Sequence, residues 1–162
     1  GNVLRMGDNF FLDICRTVAK DYPTLQMNDE YIDTVANKLI SHPEDYDIIL
    51  TTNMYGDVVS DEAAALVSSL VPTANFGERG AIFRPIHESL FDLAGRNIVN
   101  PVPTILCAVM MLSYLGATEA AAGLKKAIGA VLARGKVRTA DLGGKSSTTE
   151  VTQAIITAIV GG

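Results

Sequence analysis

The chain has 162 residues, 48 % hydrophobic and 19 % charged, with a formal net charge of -5. That is the size of one ordinary domain, with enough apolar surface for a core and too little charge for a disordered chain. The acidic balance, with no local run of Lys and Arg, excludes a nucleic-acid footprint, and the longest apolar stretch, 102–115, is too short and too interrupted by Pro103, Thr104 and Ser113 to span a membrane.

The first twenty residues carry charges throughout and hold no secretory signal. Phe11, Ile14, Cys15 and Val18 recur at helical spacing and predict an amphipathic helix ending near "DYP", followed by a short extended piece, "TLQM". Ile32, Val35, Ala36, Leu39 and Ile40 form a second apolar stripe, predicting a helix over about 29–41 that stops at "HP". The run "YDIILTTN" is rich in β-branched residues and reads as a buried strand, and Ser60 is placed to cap a helix reaching Leu70. From Val71 to Arg96 the signals are those of loops and short strands. Asn100 before Pro101 and Pro103 marks the start of a helix that Gly116 stops, and a further helix opens at Thr118 and ends at Gly135. Ser147 and Glu150 have the spacing of a capping box ahead of a last apolar helix. Cys15 and Cys107 lie inside apolar helical patterns, so both are expected to be buried thiols, in a reducing compartment such as cytosol or mitochondrial matrix. The whole reads as α/β.

One stretch raises a chemical question. "NMYGDVVSDEAAAL" sets Asp57 and Asp61 four positions apart, a spacing at which like charges destabilise an isolated helix by roughly 0.2–0.5 kcal/mol. Either both carboxylates are solvated at a helix start, where the dipole favours them, or they share a divalent cation such as Mg²⁺ or Mn²⁺. The order strand, loop, helix puts the pair at the usual site position of open α/β sheets. Asp33, beside the second apolar stripe, is the candidate third acid.

The segments "YIDTVANKLI", "YDIILTTNMYGDVVSDEAAAL", "PIHESLFDLAGRNIVNP" and "RTADLGGKSSTTEV", in that order, resemble the metal-dependent β-decarboxylating dehydrogenases that act on isocitrate, isopropylmalate and homoisocitrate. The resemblance runs from residue 1 to about residue 160 and matches only the C-terminal half of that family. It implies a non-Rossmann α/β fold with a parallel-containing sheet, divided here into a piece of the small metal-binding and dimerisation domain (1–70) and a piece of the large cofactor-binding domain (71–162). It implies an obligate dimer, a hetero-oligomer or an N-terminal half as partner, with a small-molecule substrate. By matching positions, Asp57 and Asp61 from one subunit and Asp33 from its neighbour would bind Mg²⁺ or Mn²⁺. Asn2 would lie near the nicotinamide of NAD, and His87, Ser89, Leu90, Asp92 and Asn100 would belong to its adenosine site. An acid at position 92 accepts from the ribose hydroxyls and repels a 2′-phosphate, which favours NAD over NADP.

The match also has departures. The family's catalytic Lys would fall just before Gly1, and its catalytic Tyr and substrate-binding Arg cluster belong to the other half, so no catalytic residue is assigned here. Glu88, Leu90 and Phe91 replace the Gly, Ala and Pro usual in the cofactor loop, Arg84 replaces a Glu, and "SSLVPTANFG" is somewhat shorter than its counterpart. Two readings follow: the C-terminal part of an NAD-linked dehydrogenase, leaning toward isocitrate or homoisocitrate with 3-isopropylmalate as the further candidate, or a non-catalytic fragment or regulatory paralogue that keeps only the dimer and metal elements.

Overall fold

The computed structural model describes residues 4–67, 71–86 and 91–161. The chain divides into two compact units, Gly1–Leu66 and Val67–Gly162.

The first unit holds α1 (Arg5–Ala19), α2 (Ile32–Ser41), a 3-10 turn over Pro43–Asp45 and α3 (Asn53–Leu66). Its small core is formed by Val35 and Leu39 of α2 against Val59 of α3, with Ile32 and Tyr46 at the rim. Helix α1 forms as its apolar spacing predicts, yet it buries none of its residues. Cys15 is accordingly half-buried, not buried as expected. "TLQM" is irregular backbone.

Two further expectations fail in this unit, both for want of local information. The segment "YDIILTTN" makes no β-ladder, and Ile48 and Leu50 stand 88 % and 71 % exposed. β-branched composition shows that a segment suits a sheet, but a strand forms only where a neighbour meets its backbone donors and acceptors. Helix α3 begins at Asn53, well before Ser60, whose hydroxyl instead donates to the Asp57 carbonyl at 3.1 Å inside the helix. Asp57 and Asp61 therefore sit in the helix body and not in its first turn.

The second unit opens with a hairpin. Strands β1 (Pro72–Gly77) and β2 (Gly80–Pro85) pair antiparallel across Glu78 and Arg79, with Ala74 opposite Phe83. This is the one sheet among the described residues, so the parallel pairing implied by the resemblance is absent from them. Three helices follow: α4 (Val102–Tyr114), α5 (Thr118–Arg134) and α6 (Thr148–Val160). Their stops are those read from the sequence, since Gly116 and Gly135 take left-handed φ values of 80° and 65° that other residues rarely adopt. The capping box also forms, with Ser147 Oγ accepting from the Glu150 N–H and Glu150 Oε2 accepting from the Ser147 N–H at 2.7 Å. Val102, Val109, Ile128, Val131, Val151 and Ile155 make the core where α4, α5 and α6 meet. Full burial of one such side chain stabilises by about 1.5–3 kcal/mol. Helix α4 also packs on the hairpin, where the ring of Tyr114 lies 5.6 Å from Phe76 and 5.9 Å from Phe83. No helix among the described residues is long and apolar enough to cross a membrane.

Candidate metal and cofactor residues

Asp57 and Asp61 occupy the fifth and ninth positions of α3, one turn apart on one helical face, and both are exposed. The helix beneath them is anchored by Val59, buried against α2, and by the Gly56 N–H, which donates to the Thr52 carbonyl at 2.9 Å. Among the described residues neither carboxylate accepts a hydrogen bond or forms an ion pair. Two adjacent carboxylates open to water are a donor set that fits a hard divalent cation, which keeps several water or substrate oxygens in its shell. Ca²⁺-type cages need more protein oxygens than this pair supplies.

Asp33 is the second residue of α2 and is exposed, and its Oδ1 accepts from the Thr34 N–H at 2.8 Å. The chain does not bring it to the α3 pair. Among the described residues no group of three His, Cys, Asp or Glu is assembled to hold a metal ion.

Of the six expected cofactor residues, Asp92 and Asn100 lie among the described residues. Asn2, His87, Ser89 and Leu90 lie outside the described residues. Asp92 sits in a 3-10 turn over Phe91–Leu93 and is exposed. Asn100 is 9 % exposed, and both ends of its amide are engaged inside the protein. Its Oδ1 accepts from the Val102 N–H at 3.0 Å, closing the start of α4, and its Nδ2 donates to Asp141 Oδ2 at 2.8 Å. The Asn100 side chain thus holds a helix start to a distant loop.

That loop, 138–146, contains groups that were not singled out from the sequence. Asp141 lies in the 3-10 turn Ala140–Leu142, which Gly143 ends at φ 74°. Gly144 lies so close to Arg138 that a Cβ would fall 2.0 Å from the Arg138 carbonyl oxygen. Thr139 is fully buried, and its hydroxyl is the one buried side-chain polar atom without a partner among the described residues. The sequence signals for this cluster are the segment "RTADLGGKSSTTEV" that carries the resemblance and, within it, an acid one residue before two glycines.

Titration marks other places. In α4, burial pushes the Cys107 thiol up, which disfavours its thiolate form. Glu150 is held below the usual carboxylate range by the Ser147 N–H and then by its hydroxyl. The Lys38 ammonium and then the Tyr46 hydroxyl hold the Glu30 carboxyl low, and Glu30 in turn pushes Tyr46 up to about 12.

Comparison with known proteins places this architecture. The family model for isocitrate/isopropylmalate dehydrogenase matches residues 1–155. The 3-isopropylmalate dehydrogenase of Archaeoglobus fulgidus is 48 % identical over 151 residues, 92 % of this chain and 46 % of that protein. The isocitrate/homoisocitrate dehydrogenase of Thermus thermophilus is 46 % identical over 160 residues, 98 % of this chain and 48 % of that protein. The crystal structure of isocitrate dehydrogenase from Methylococcus capsulatus superposes with a TM-score of 0.91 at 33 % identity, covering 98 % of this chain and 48 % of that one. The fold implied by the resemblance is the fold found. The chain spans about half the length of the curated relatives it matches.

Proposed function

The chain belongs to the isocitrate/isopropylmalate dehydrogenase family, and from that membership we propose that it forms the C-terminal part of an enzyme that couples NAD reduction to decarboxylation. The substrate is a 2-hydroxy acid bearing a β-carboxylate, isocitrate or homoisocitrate before 3-isopropylmalate. The observation that carries the reading is the pair Asp57 and Asp61, exposed one turn apart on α3 and paired with no group among the described residues.

In this reading the pair holds Mg²⁺ or Mn²⁺ together with Asp33 of a second copy of the chain, because its own Asp33 stands apart on α2. The bound ion supplies Lewis-acid polarisation of the hydroxyl and carboxylate oxygens of the substrate. The chain contributes the two carboxylates, fixed by the α2 and α3 packing, and leaves the remaining coordination positions open to substrate. Asp92 accepts from the ribose hydroxyls of NAD and excludes a 2′-phosphate by charge, with Asn2, His87, Ser89 and Leu90 completing the dinucleotide site. Asn100 takes part by holding the start of α4 to the Asp141 loop. Proton transfer and substrate selection belong to the half of the family architecture that this chain does not match. Accordingly, units 1–70 and 71–162 are read as pieces of the small and large domains, completed by an N-terminal half and a second subunit. The family compartments, cytosol or mitochondrial matrix, go with this reading.

The test is a calorimetric titration with Mn²⁺ of this chain and of its Asp57→Asn variant. Saturable binding that the variant loses supports the metal centre. It leads to a second assay, isocitrate-dependent NAD reduction after the complementary half is supplied. A wild-type chain that binds no Mn²⁺ overturns the centre and favours the non-catalytic paralogue, the reading that the departures at Arg84 and Glu88 already motivate.

A further inference from the structure

The Glu30 carboxylate, which is not among the candidate ligands, binds two side chains at once. Its Oε1 accepts from Lys38 Nζ at 2.5 Å and its Oε2 from the Tyr46 hydroxyl at 2.6 Å. Lys38 belongs to the body of α2, Glu30 precedes that helix, and Tyr46 follows the 3-10 turn beyond its end. One carboxylate therefore ties the approach to α2, the helix and its exit into a single clamp. The ion pair lies at the protein surface, where water and salt screen it, so the clamp acts through its two-pronged geometry. Charge-assisted bonds of this kind are about twice as strong as neutral ones.

Asp33 follows Glu30 by three residues, through extended Tyr31 (φ -75°, ψ 148°) and then helical backbone. Few free torsions separate the clamp from that carboxylate. The other bond on this approach, Arg16 Nη2 to Asp29 Oδ1 at 2.9 Å, runs to α1 and leaves α2 untouched.

We infer that Glu30 is a positioning residue, whose clamp on Lys38 and Tyr46 sets the direction in which α2 presents Asp33 to a divalent cation. This rests on the metal centre proposed above. It adds a residue behind a ligand, the kind of support whose loss typically lowers metal affinity 10–100-fold.

The experiment follows Mn²⁺ affinity by electron paramagnetic resonance for the wild-type chain and for Glu30→Gln, Tyr46→Phe, Asp33→Asn, Asp57→Asn, Arg16→Met and the double variant E30Q/D33N, with metal-free melting measured alongside. Tyr46→Phe leaves every charge in place, so its effect reports position and not electrostatics. Glu30→Gln and Tyr46→Phe are each expected to weaken Mn²⁺ binding about ten-fold, Arg16→Met to leave it unchanged, and Glu30→Gln to add nothing once Asp33 is Asn. Wild-type affinity in both clamp variants overturns the inference, as does an equal loss in Arg16→Met or an undiminished effect of Glu30→Gln in the D33N background. If those results accompany binding that Asp57→Asn abolishes, only the Glu30 role falls. If the wild-type chain binds no Mn²⁺, the metal centre falls and takes this role with it.

Discussion

Asn97 caps a helix that begins fifty residues later: its Oδ1 accepts both the backbone N–H of Thr149, at 3.1 Å, and the Thr149 hydroxyl, at 2.9 Å. The Asn97 carbonyl takes the Thr148 N–H at 3.0 Å, and Ser147 Oγ takes that of Glu150. With the Ser147 N–H on Glu150 Oε2, all four donors that a helix start leaves unpaired are satisfied within the protein. Asn97 does this from a left-handed backbone at φ 57°, a conformation Asn tolerates better than most residues.

Asn97→Ala loses both the cap and the tolerance for that backbone, for an expected destabilisation of about 2 kcal/mol in chemical denaturation. Asn97→Gly keeps the backbone and loses only the hydrogen bonds, so about half that cost is expected. Equal midpoints for both variants and the wild type would show that the cap contributes nothing.

Asn100 and Asp141 form the second long-range tie. Asn100→Ala leaves the Val102 N–H and the Asp141 carboxylate without their partner and is expected to cost about 2 kcal/mol. Asn100→Asp sets two carboxylates against each other and gives no rescue, whereas the exchange N100D/D141N restores donor to acceptor and recovers most of the loss. Urea unfolding of the four proteins decides it, and a double variant no better than N100D would remove the pairing from the account.

Neighbouring glycines 143 and 144 are expected to differ. A Cβ on Gly143 meets nothing within 4 Å, so Gly143→Ala bears only the left-handed backbone cost of about 1–2 kcal/mol. A Cβ on Gly144 collides with the backbone of Arg138, so Gly144→Ala must displace the 138–146 loop and costs more, with about 1–3 kcal/mol typical of forced overpacking even where the surroundings yield. Melting temperatures in the order wild type, G143A, G144A are the expected result, and the reverse order of the variants would contradict the close approach.

The Glu30 clamp predicts two pH limbs. Glu30 is lowered in the fold, so its contribution is present above its unfolded value near 4.3 and is lost as pH falls through the lower folded one. Tyr46 is raised from 10 to about 12, so its contribution is complete below about pH 10 and disappears between pH 10 and 12, alongside that of the raised Lys38. Urea midpoints measured across pH should fall at both ends, and Tyr46→Phe should flatten the alkaline limb. An unchanged alkaline limb in that variant would rule out a Tyr46 contribution.

Isolated, the chain should self-associate. Met54 and Val58 of α3 are 56 % and 61 % exposed, and α1 buries nothing, so apolar surface faces water in the first unit. Sedimentation is expected to show concentration-dependent assembly, which Met54→Ser with Val58→Ser reduces. A monodisperse monomer with a single cooperative melting transition would contradict this.

What the sequence determined by itself is whatever a few neighbouring residues decide. Gly116 and Gly135 end α4 and α5 because the backbone they permit is set locally, and Ser147 with Glu150 starts α6 because a capping box spans one turn. The family was also legible, in motifs carried by contiguous residues. Only the tertiary structure decided that "YDIILTTN" makes no ladder and that α3 begins at Asn53. It alone joined Asn100 to Asp141 across 41 positions and Asn97 to Thr149 across 52. The physical reason is the same in each case. A cap or a left-handed glycine satisfies backbone groups within its own turn, whereas a strand, a buried amide and a shared cation each need a second group that sequence separation does not specify.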